Sequence, residues 1–413
     1  MKILVVSQYF WPEGFRINEL IKSLVERGIE VDVLTGKPNY PDGDIFPGYK
    51  ASGFLSESWN GATIFRVPLY PRGKNSSLKL ALNYLSFIVS GVLFGPLLLR
   101  KRKYDVVFVY GLSPILLAIP AVFISWLKGK KLVIWVQDLW PQSLSATGYV
   151  QSRLILRCIE IIVRWIYRTS DLILVQSHAF EGAVAELALG KEIIYYPNSV
   201  DSSFAQTPVF GGGWQKIESL ETGFPVIFAG NVGAAQAVET IVEAAVLLKE
   251  VPEIRFVIFG TGSKWEWLKN KVTDLGLSNL YLPGRFPVEA MPGYLQKAEV
   301  LLVTLTNEPI FALTVPNKIQ AYMASGKPIV ASLNGEGAKI VVESGSGIST
   351  PAEDPVVLAG AILSLYRMSA QERKQIGENG RVYYQAHFDH DILVDQLINH
   401  LEIISTKKGK LST

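Results

Sequence analysis

The chain has 413 residues, 49% apolar and 19% charged, which excludes a disordered polymer and exceeds what one compact α/β core holds, so two domains of about 200 residues each are expected. Its single cysteine, Cys158, closes no internal disulfide and excludes a cysteine-based metal site, as expected for a reducing cytoplasm. The net charge of +3 hides an asymmetry: residues 1–200 carry seven more basic than acidic side chains and residues 201–413 four fewer, so an anionic partner is expected on the first half.

In chain order, the opening MKILVVSQYF has only four apolar residues before Ser7 and Gln8, too short for a signal-peptide core, and reads as a first strand. Similar runs bounded by turn residues recur at 3–7, 30–34, 105–110, 132–136, 172–176 and 193–196, then at 226–229, 255–259, 280–282, 300–305 and 328–332. Most are too continuously apolar for a sheet with one wet face, which predicts parallel strands buried on both sides. Helical stretches at 19–27, 237–249 and 318–324 separate them, and the alternation predicts an α/β protein of two Rossmann-like domains. Ser202, Ser203, Pro208, Gly211, Gly212, Gly213 and Gly223 interrupt all periodicity. The expected division is therefore an N-terminal domain over 1–205, a C-terminal domain over 206–385, and a tail over 386–413 whose helix (391–404) crosses back to the N-terminal domain.

Residues 80–99 run without a charge and are followed by Arg100, Lys101, Arg102 and Lys103, a pattern long enough to span a membrane with its basic flank in the cytoplasm. Asn83, Ser86, Ser90, Gly91, Gly95 and Pro96 dilute the run, and a span there would cut an α/β domain in two. A second segment, 152–169, places Arg153, Arg157, Arg164 and Arg168 on one side of a helix among Leu, Ile, Val and Trp, the pattern of a helix lying in an anionic membrane interface. Interfacial docking is favoured here over core helices with solvated arginines and over a true span. The expected location is cytoplasmic, peripheral on the inner face of a bacterial inner membrane.

Four segments carry candidate chemistry. In the loop 9–18 after the first strand, Gly14 lets backbone approach a ligand and a helix N-terminus follows, although an ordinary strand-to-helix turn fits equally. After strand 226–229, Asn231 and Gly233 lie in a glycine turn with the layout of a phosphate-facing loop, and Gly260-Thr-Gly262 repeats the pattern. At 314–328, Thr314 sits near a helix N-cap, Pro316 suits the first turn, Gly326 ends the helix and Pro328 blocks its continuation. Asn317 and Lys318 fall in that first turn, where the free N–H groups and the ammonium form a positive pocket for a pyrophosphate. A merely solvated lysine is unfavourable at that end of the dipole, which tilts the reading toward a functional one. At 135–142, Asp138 stands at the carboxyl end of a strand, as a base toward an acceptor hydroxyl, as an orienting group, or as an Asx-turn or helix cap. No metal site is expected: Asp42 and Asp44 sit in a Pro/Gly-rich loop, and His178, His387, His390 and His400 lack ligand spacing.

The stretch PNKIQAYMASGKPIVAS (316–332), with WPEGFRINEL (11–20), VQS (175–177), YPNSVD (196–201), FAGNVG (228–233) and GRFPVEAMPGYLQKAEVLLV (284–303), resembles the family 4 glycosyltransferases of GT-B fold, in which two Rossmann-like domains face a cleft. PNYPDGDIFPGY (38–49) and VQDLWPQSLSATG (136–148) are similar to bacterial O-antigen and capsule enzymes of the N-acetyl-L-fucosamine transferase type. The resemblance spans residues 1 to about 400 and implies sugar transfer from a UDP-sugar with retention of configuration, with no metal and no cofactor. It places Arg285 and Phe286 by the base, Gly14, Asn231 and Gly233 by the diphosphate, Thr314, Asn317 and Lys318 around the phosphates, and the acceptor near Asp138. Three positions depart from the family. Its Glu-x7-Glu pair falls on Leu313 and Ala321, leaving Gln320 or Glu308 as substitutes. Its phosphate-binding Arg and Lys fall on Asn231 and Gln236, which moves charge stabilisation to Lys318 and Arg285. Its catalytic histidine falls on Asp138.

The resulting expectation is a retaining, metal-independent transferase moving a sugar, N-acetyl-L-fucosamine for instance, from a UDP-sugar to a polyprenyl-diphosphate-linked glycan, with Asp138 and Lys318 as catalytic residues. Its expected partners are the UDP-sugar, that acceptor and an anionic membrane surface, and no nucleic acid. Two alternatives stay open: a sugar-nucleotide epimerase on the same scaffold, and a degenerate, non-catalytic membrane-associated binding protein, suggested by the missing Glu pair.

Overall fold

Runs too apolar for a half-wet sheet do form strands covered on both faces, and they belong to two separate sheets. The computed structural model describes residues 1–74, 76–146, 150–200, 202–205 and 215–407. The chain divides into unit 1, Met1–Pro197 with Asp391–Thr413, and unit 2, Asn198–His390. The expected divisions are 205/206 and 385/386; Pro208 and Gly211, Gly212 and Gly213 of the expected linker lie outside the described residues.

Unit 1 comprises β1 (Lys2–Val6), α1 (Ile17–Glu26), β2 (Glu30–Thr35), β3 (Leu55–Trp59), β4 (Ala62–Arg66), α2 (Ser77–Leu98), β5 (Val106–Gly111), α3 (Ile119–Lys128), β6 (Lys131–Val136), α4 (Gln142–Ala146), α5 (Arg153–Thr169), β7 (Leu172–Val175), α6 (His178–Ala188) and β8 (Ile193–Tyr195). Its eight strands run in the order β3-β4-β2-β1-β5-β6-β7-β8, parallel except for the antiparallel β3–β4 edge. That edge hairpin is absent from the sequence expectation because its outer strand, Leu-Ser-Glu-Ser-Trp, is half polar. The Asn60-Gly61 turn, with φ of 46° and 81°, was its available signal.

Unit 2 comprises β9 (Phe224–Ala229), α7 (Val238–Leu247), β10 (Ile254–Phe259), α8 (Trp265–Asp274), β11 (Leu280–Gly284), α9 (Met291–Gln296), β12 (Val300–Thr304), α10 (Pro309–Leu313), α11 (Asn317–Ser325), β13 (Ile329–Ser332), α12 (Glu336–Glu343), β14 (Gly347–Thr350), α13 (Pro355–Arg367) and α14 (Ala370–His387). Its six strands are all parallel, in the order β11-β10-β9-β12-β13-β14. Strand β14 (Gly-Ile-Ser-Thr) is too short and polar to stand out in sequence.

The last helix, α15 (His390–Thr406), closes the core of unit 1. Leu393, Val394, Leu397, Leu401 and Ile404 are buried with Leu20, Ile21 and Leu24 of α1. The Tyr196 hydroxyl donates to the Leu393 carbonyl at 2.9 Å, and Arg27 pairs with Asp391 and Asp395 at 2.7 and 2.6 Å. The uncharged stretch 80–99 falls almost entirely within α2, which is held in the fold on one side: a Cβ at Gly91 would meet Pro120 of α3 at 2.7 Å, and one at Gly95 would meet Ile124 at 3.0 Å. The side-chain amide of Asn83 donates to Tyr70 O at 2.7 Å and to Asn39 Oδ1 at 3.1 Å, and its oxygen accepts from Gln8 at 2.7 Å.

Candidate active site

In an open parallel sheet, ligands settle at the carboxyl ends of the strands where the winding direction reverses. In unit 2 the chain winds from β9 to β10 to β11, then returns beside β9 as β12 and continues to β13 and β14, so the reversal lies between β9 and β12. The turn after β9 and helix α11, which precedes β13, meet at this point. The Thr304 hydroxyl at the end of β12 donates to Gln236 O, and Thr306 N–H donates to Ala235 O at 3.1 Å.

Lys318 occupies this junction. It sits in the first turn of α11, its ammonium donates to Gln236 Oε1, and it lies 3.6 Å from the centre of the Phe228 ring. One turn on, the Tyr322 hydroxyl accepts from Ala229 N–H at 3.0 Å, fixing α11 to the end of β9. Removal from water pushes the Lys318 ammonium down from its ordinary 10.5 to about 7. No carboxylate pairs with it among the described residues. A partly buried ammonium without an anion is costly in the empty protein, which is the arrangement expected where the anion is a ligand.

The surrounding glycines have steric reasons. Gly230 has φ of 147°, and a Cβ there would meet Lys318 Cε at 2.6 Å. A Cβ at Gly260 would meet Gly230 O at 1.7 Å, and one at Gly262 would meet Val232 O at 2.4 Å. The turns after β9 and β10 are thus stacked on each other, with Val232 N–H donating to Thr261 O at 3.0 Å. Gly233 is buried beneath the exposed Asn231, whose amide a Cβ at Gly233 would meet at 2.5 Å.

The structure revises one expected role in unit 2, the helix cap, and places the other expected residues. Thr314 does not cap α11: its hydroxyl donates back to Ile310 O at 3.0 Å, and Pro316 occupies the N-cap. Gln320 is fully buried, and with its amide nitrogen facing Pro316 O and Asn317 O at 3.0 and 3.2 Å it serves the helix's own first turn. Its amide nitrogen is thereby engaged by backbone carbonyls of the first turn. Asn317 is exposed beside Lys318, and exposed Arg285 follows β11 with no ion pair among the described residues. Phe286 is half-buried, edge-on to Phe259 and Tyr294 at 5.6 and 5.0 Å between centroids. Leu313 and Ala321 are half-buried, and Glu308 is exposed at the start of α10.

In unit 1 the reversal lies between β1 and β5, and both Gly14 and Asp138 are near the carboxyl edge of that sheet, after β1 and β6. A Cβ on exposed Gly14 would meet nothing within 4 Å, so no neighbour in the chain requires glycine there. Asp138 accepts from the Ser143 hydroxyl of α4, and burial raises its carboxyl above the ordinary range against the hydrogen bonds that hold it down. The buried Tyr167 hydroxyl feels that charge and has no hydrogen-bond partner among the described residues.

Sequence reasoning missed Glu13, beside Gly14. Its carboxylate is buried and accepts the N–H groups of Asn39 and Tyr40, both at 2.8 Å, and of Phe10 at 3.2 Å. Burial still pushes it up to about 7. A lone acid among Phe, Trp and Pro after a strand was the visible signal. Glu13 ties the loop after β1 to the loop after β2, beside an open pocket of about 470 Å³ lined by Pro41, Asp42, Arg72, Lys74 and Ser76.

Both units also match known proteins. Residues 14–198 match the family model described as glycosyl transferase 4-like domain, and residues 223–368 match that of glycosyl transferases group 1. The chain is built from these two glycosyltransferase domains, and its two sheets are those of the GT-B fold. Similar proteins include the one named as a glycosyltransferase, WbjE, of Pseudomonas aeruginosa, 29% identical over 314 residues that cover 72% of this chain and 74% of that one. The protein of Escherichia coli K12 named as a colanic acid biosynthesis glycosyl transferase, WcaI, is 25% identical over 339 residues covering 79% and 82%. The crystal structure of Anabaena HepE in complex with UDP matches with a TM-score of 0.65 over 98% of this chain and 100% of that one, at 16% identity, a likeness of fold.

Proposed function

We propose that the protein is a retaining, metal-independent glycosyltransferase that takes a sugar from a UDP-sugar held by unit 2 and delivers it to a lipid-linked glycan held by unit 1, in the assembly of a bacterial surface polysaccharide. The observation that carries this reading is Lys318, a desolvated cation without a carboxylate partner at the winding reversal of unit 2. A diphosphate there meets the start of α11 and the exposed Asn231 and Asn317. As the glycosidic bond breaks, charge grows on the departing diphosphate, and Lys318 stabilises it. Asp138, its carboxyl raised by burial, orients the acceptor hydroxyl or takes its proton. The UDP in HepE and the colanic acid in the name of WcaI support the donor and polysaccharide parts of the reading.

Incubation with a panel of UDP-sugars and a polyprenyl-diphosphate-linked glycan should release UDP only when both substrates are present. UDP release or donor isomerisation without acceptor would move the reading to the epimerase alternative, and no turnover with any pair would sink it.

A further inference from the structure

Helices α2, α3 and α5 follow β4, β5 and β6, wind in one direction across unit 1 and lie side by side on one face of its sheet, α2 against α3 and α3 against α5. Their outward sides are apolar. On α2, Leu78, Leu82, Leu85, Val89, Leu93 and Leu97 recur every three or four residues as a single stripe, each between 37% and 71% exposed. Helix α3 adds Phe123, Leu127 and Trp126, the last 73% exposed, and α5 adds Leu154, Ile161 and Trp165. Single exposed apolar residues are ordinary, but a patch spread over three adjacent helices marks a contact surface.

Its charges identify what it contacts. Neither α2 nor α3 carries a carboxylate, and the one acid of α5, Glu160, is paired with Arg164 at 2.6 Å. Exposed Arg100, Lys101 and Lys103 follow α2, Lys130 follows α3, and Arg153, Arg157 and Arg168 project from α5. We propose that this face lies flat on an anionic bilayer, with the leucine stripe and both tryptophans at the acyl boundary and the basic residues on lipid phosphates. A second copy docked symmetrically would oppose one basic rim to another. A span by α2 would strip Asn83 of its bonds to Gln8, Asn39 and Tyr70. The surface stands independently of the sugar chemistry and is measured without it.

Flotation of the full chain with vesicles of phosphatidylglycerol and phosphatidylcholine tests the proposal, with pure phosphatidylcholine as control. Wild type should float with the anionic vesicles, and less at high salt. Leu93→Glu with Trp126→Glu should weaken binding at least about tenfold, and Arg153→Gln with Arg157→Gln about tenfold on anionic vesicles only. Wild-type circular dichroism and wild-type urea unfolding midpoints show that the variants fold, with no recourse to the sugar chemistry. The proposal is overturned if wild type floats with neither vesicle, or if L93E/W126E binds as wild type does. A wild-type dimer by light scattering that L93E/W126E converts to monomer would equally overturn it, assigning the face to a second copy.

Discussion

Replacing Lys318 with methionine keeps the length of the side chain and removes its charge, so it separates what the lysine does for the fold from what it does for a ligand. The wild-type ammonium falls from 10.5 to about 7 because it leaves water. A displacement of that size costs at most about 4 kcal/mol at pH 7. Residual water around the partly exposed chain, the Phe228 ring and the Gln236 oxygen reduce this to on the order of 1–2 kcal/mol. Lys318→Met should therefore stabilise the ligand-free protein by about 1–2 kcal/mol in urea unfolding at pH 7. The folded value lies below the unfolded one, so the unfolded chain binds the extra proton between about pH 7 and 10.5. The gain should be complete below pH 7 and fade as pH rises to 10.5. The same variant should bind UDP about 10- to 100-fold more weakly, the worth of one charge-assisted hydrogen bond at about 1.5–3 kcal/mol. Lower stability in the empty variant, or unchanged UDP affinity, would refute the assignment and leave Lys318 as a packing residue.

Three further perturbations separate the two units. Gly230→Ala retains the charge but puts a methyl group 2.6 Å from Lys318 Cε at a φ of 147°, so UDP affinity should fall toward that of Lys318→Met, measured by calorimetry, while unit 1 melts as before. Asp138→Asn should cut turnover about 100-fold or more and abolish the acidic limb of the kcat/KM profile, a limb that burial places above the ordinary carboxylate range, with UDP affinity untouched. Were Asp138 only the anchor of α4 through Ser143, stability would drop and turnover would survive. Glu13→Gln turns an N–H donor toward one of the three N–H groups that the carboxylate accepts, which should cost about 1–3 kcal/mol in urea unfolding. The raised Glu13 carboxyl binds its proton more tightly folded than unfolded, so wild-type stability should decline between about pH 4.5 and 7 and that decline should vanish in the variant.

The strands with continuous apolar runs were legible because a parallel sheet covers both faces and leaves no polar alternation, as in Leu-Ile-Leu-Val of β7. Strands β3 and β14, at sheet edges, were not, since their polar residues read as loop, and β4 went unread with its hairpin partner β3. Lys318 was readable from helix rules alone, as a cation at the wrong end of a dipole between Pro316 and Gly326. Its partners Gln236 and Phe228 were not, because only the stacking of the turns at Gly230 and Gly260 brings β9 beside α11. The N-cap was misread: Thr314 looked like the cap by residue type, but its hydroxyl donates to Ile310 O and Pro316 occupies the position. Glu13 was passed over because an acid in a loop ordinarily faces water, and this one is surrounded by the backbone of residues 10, 39 and 40.

The central claim is that Lys318 receives the diphosphate of a UDP-sugar. Calorimetric titration of UDP at pH 7 in buffers of different ionisation enthalpy measures it directly. A lysine at about 7 is half protonated when empty and fully protonated against an anion, so binding should take up about half a proton more in wild type than in Lys318→Met. Equal uptake in the two proteins would contradict it.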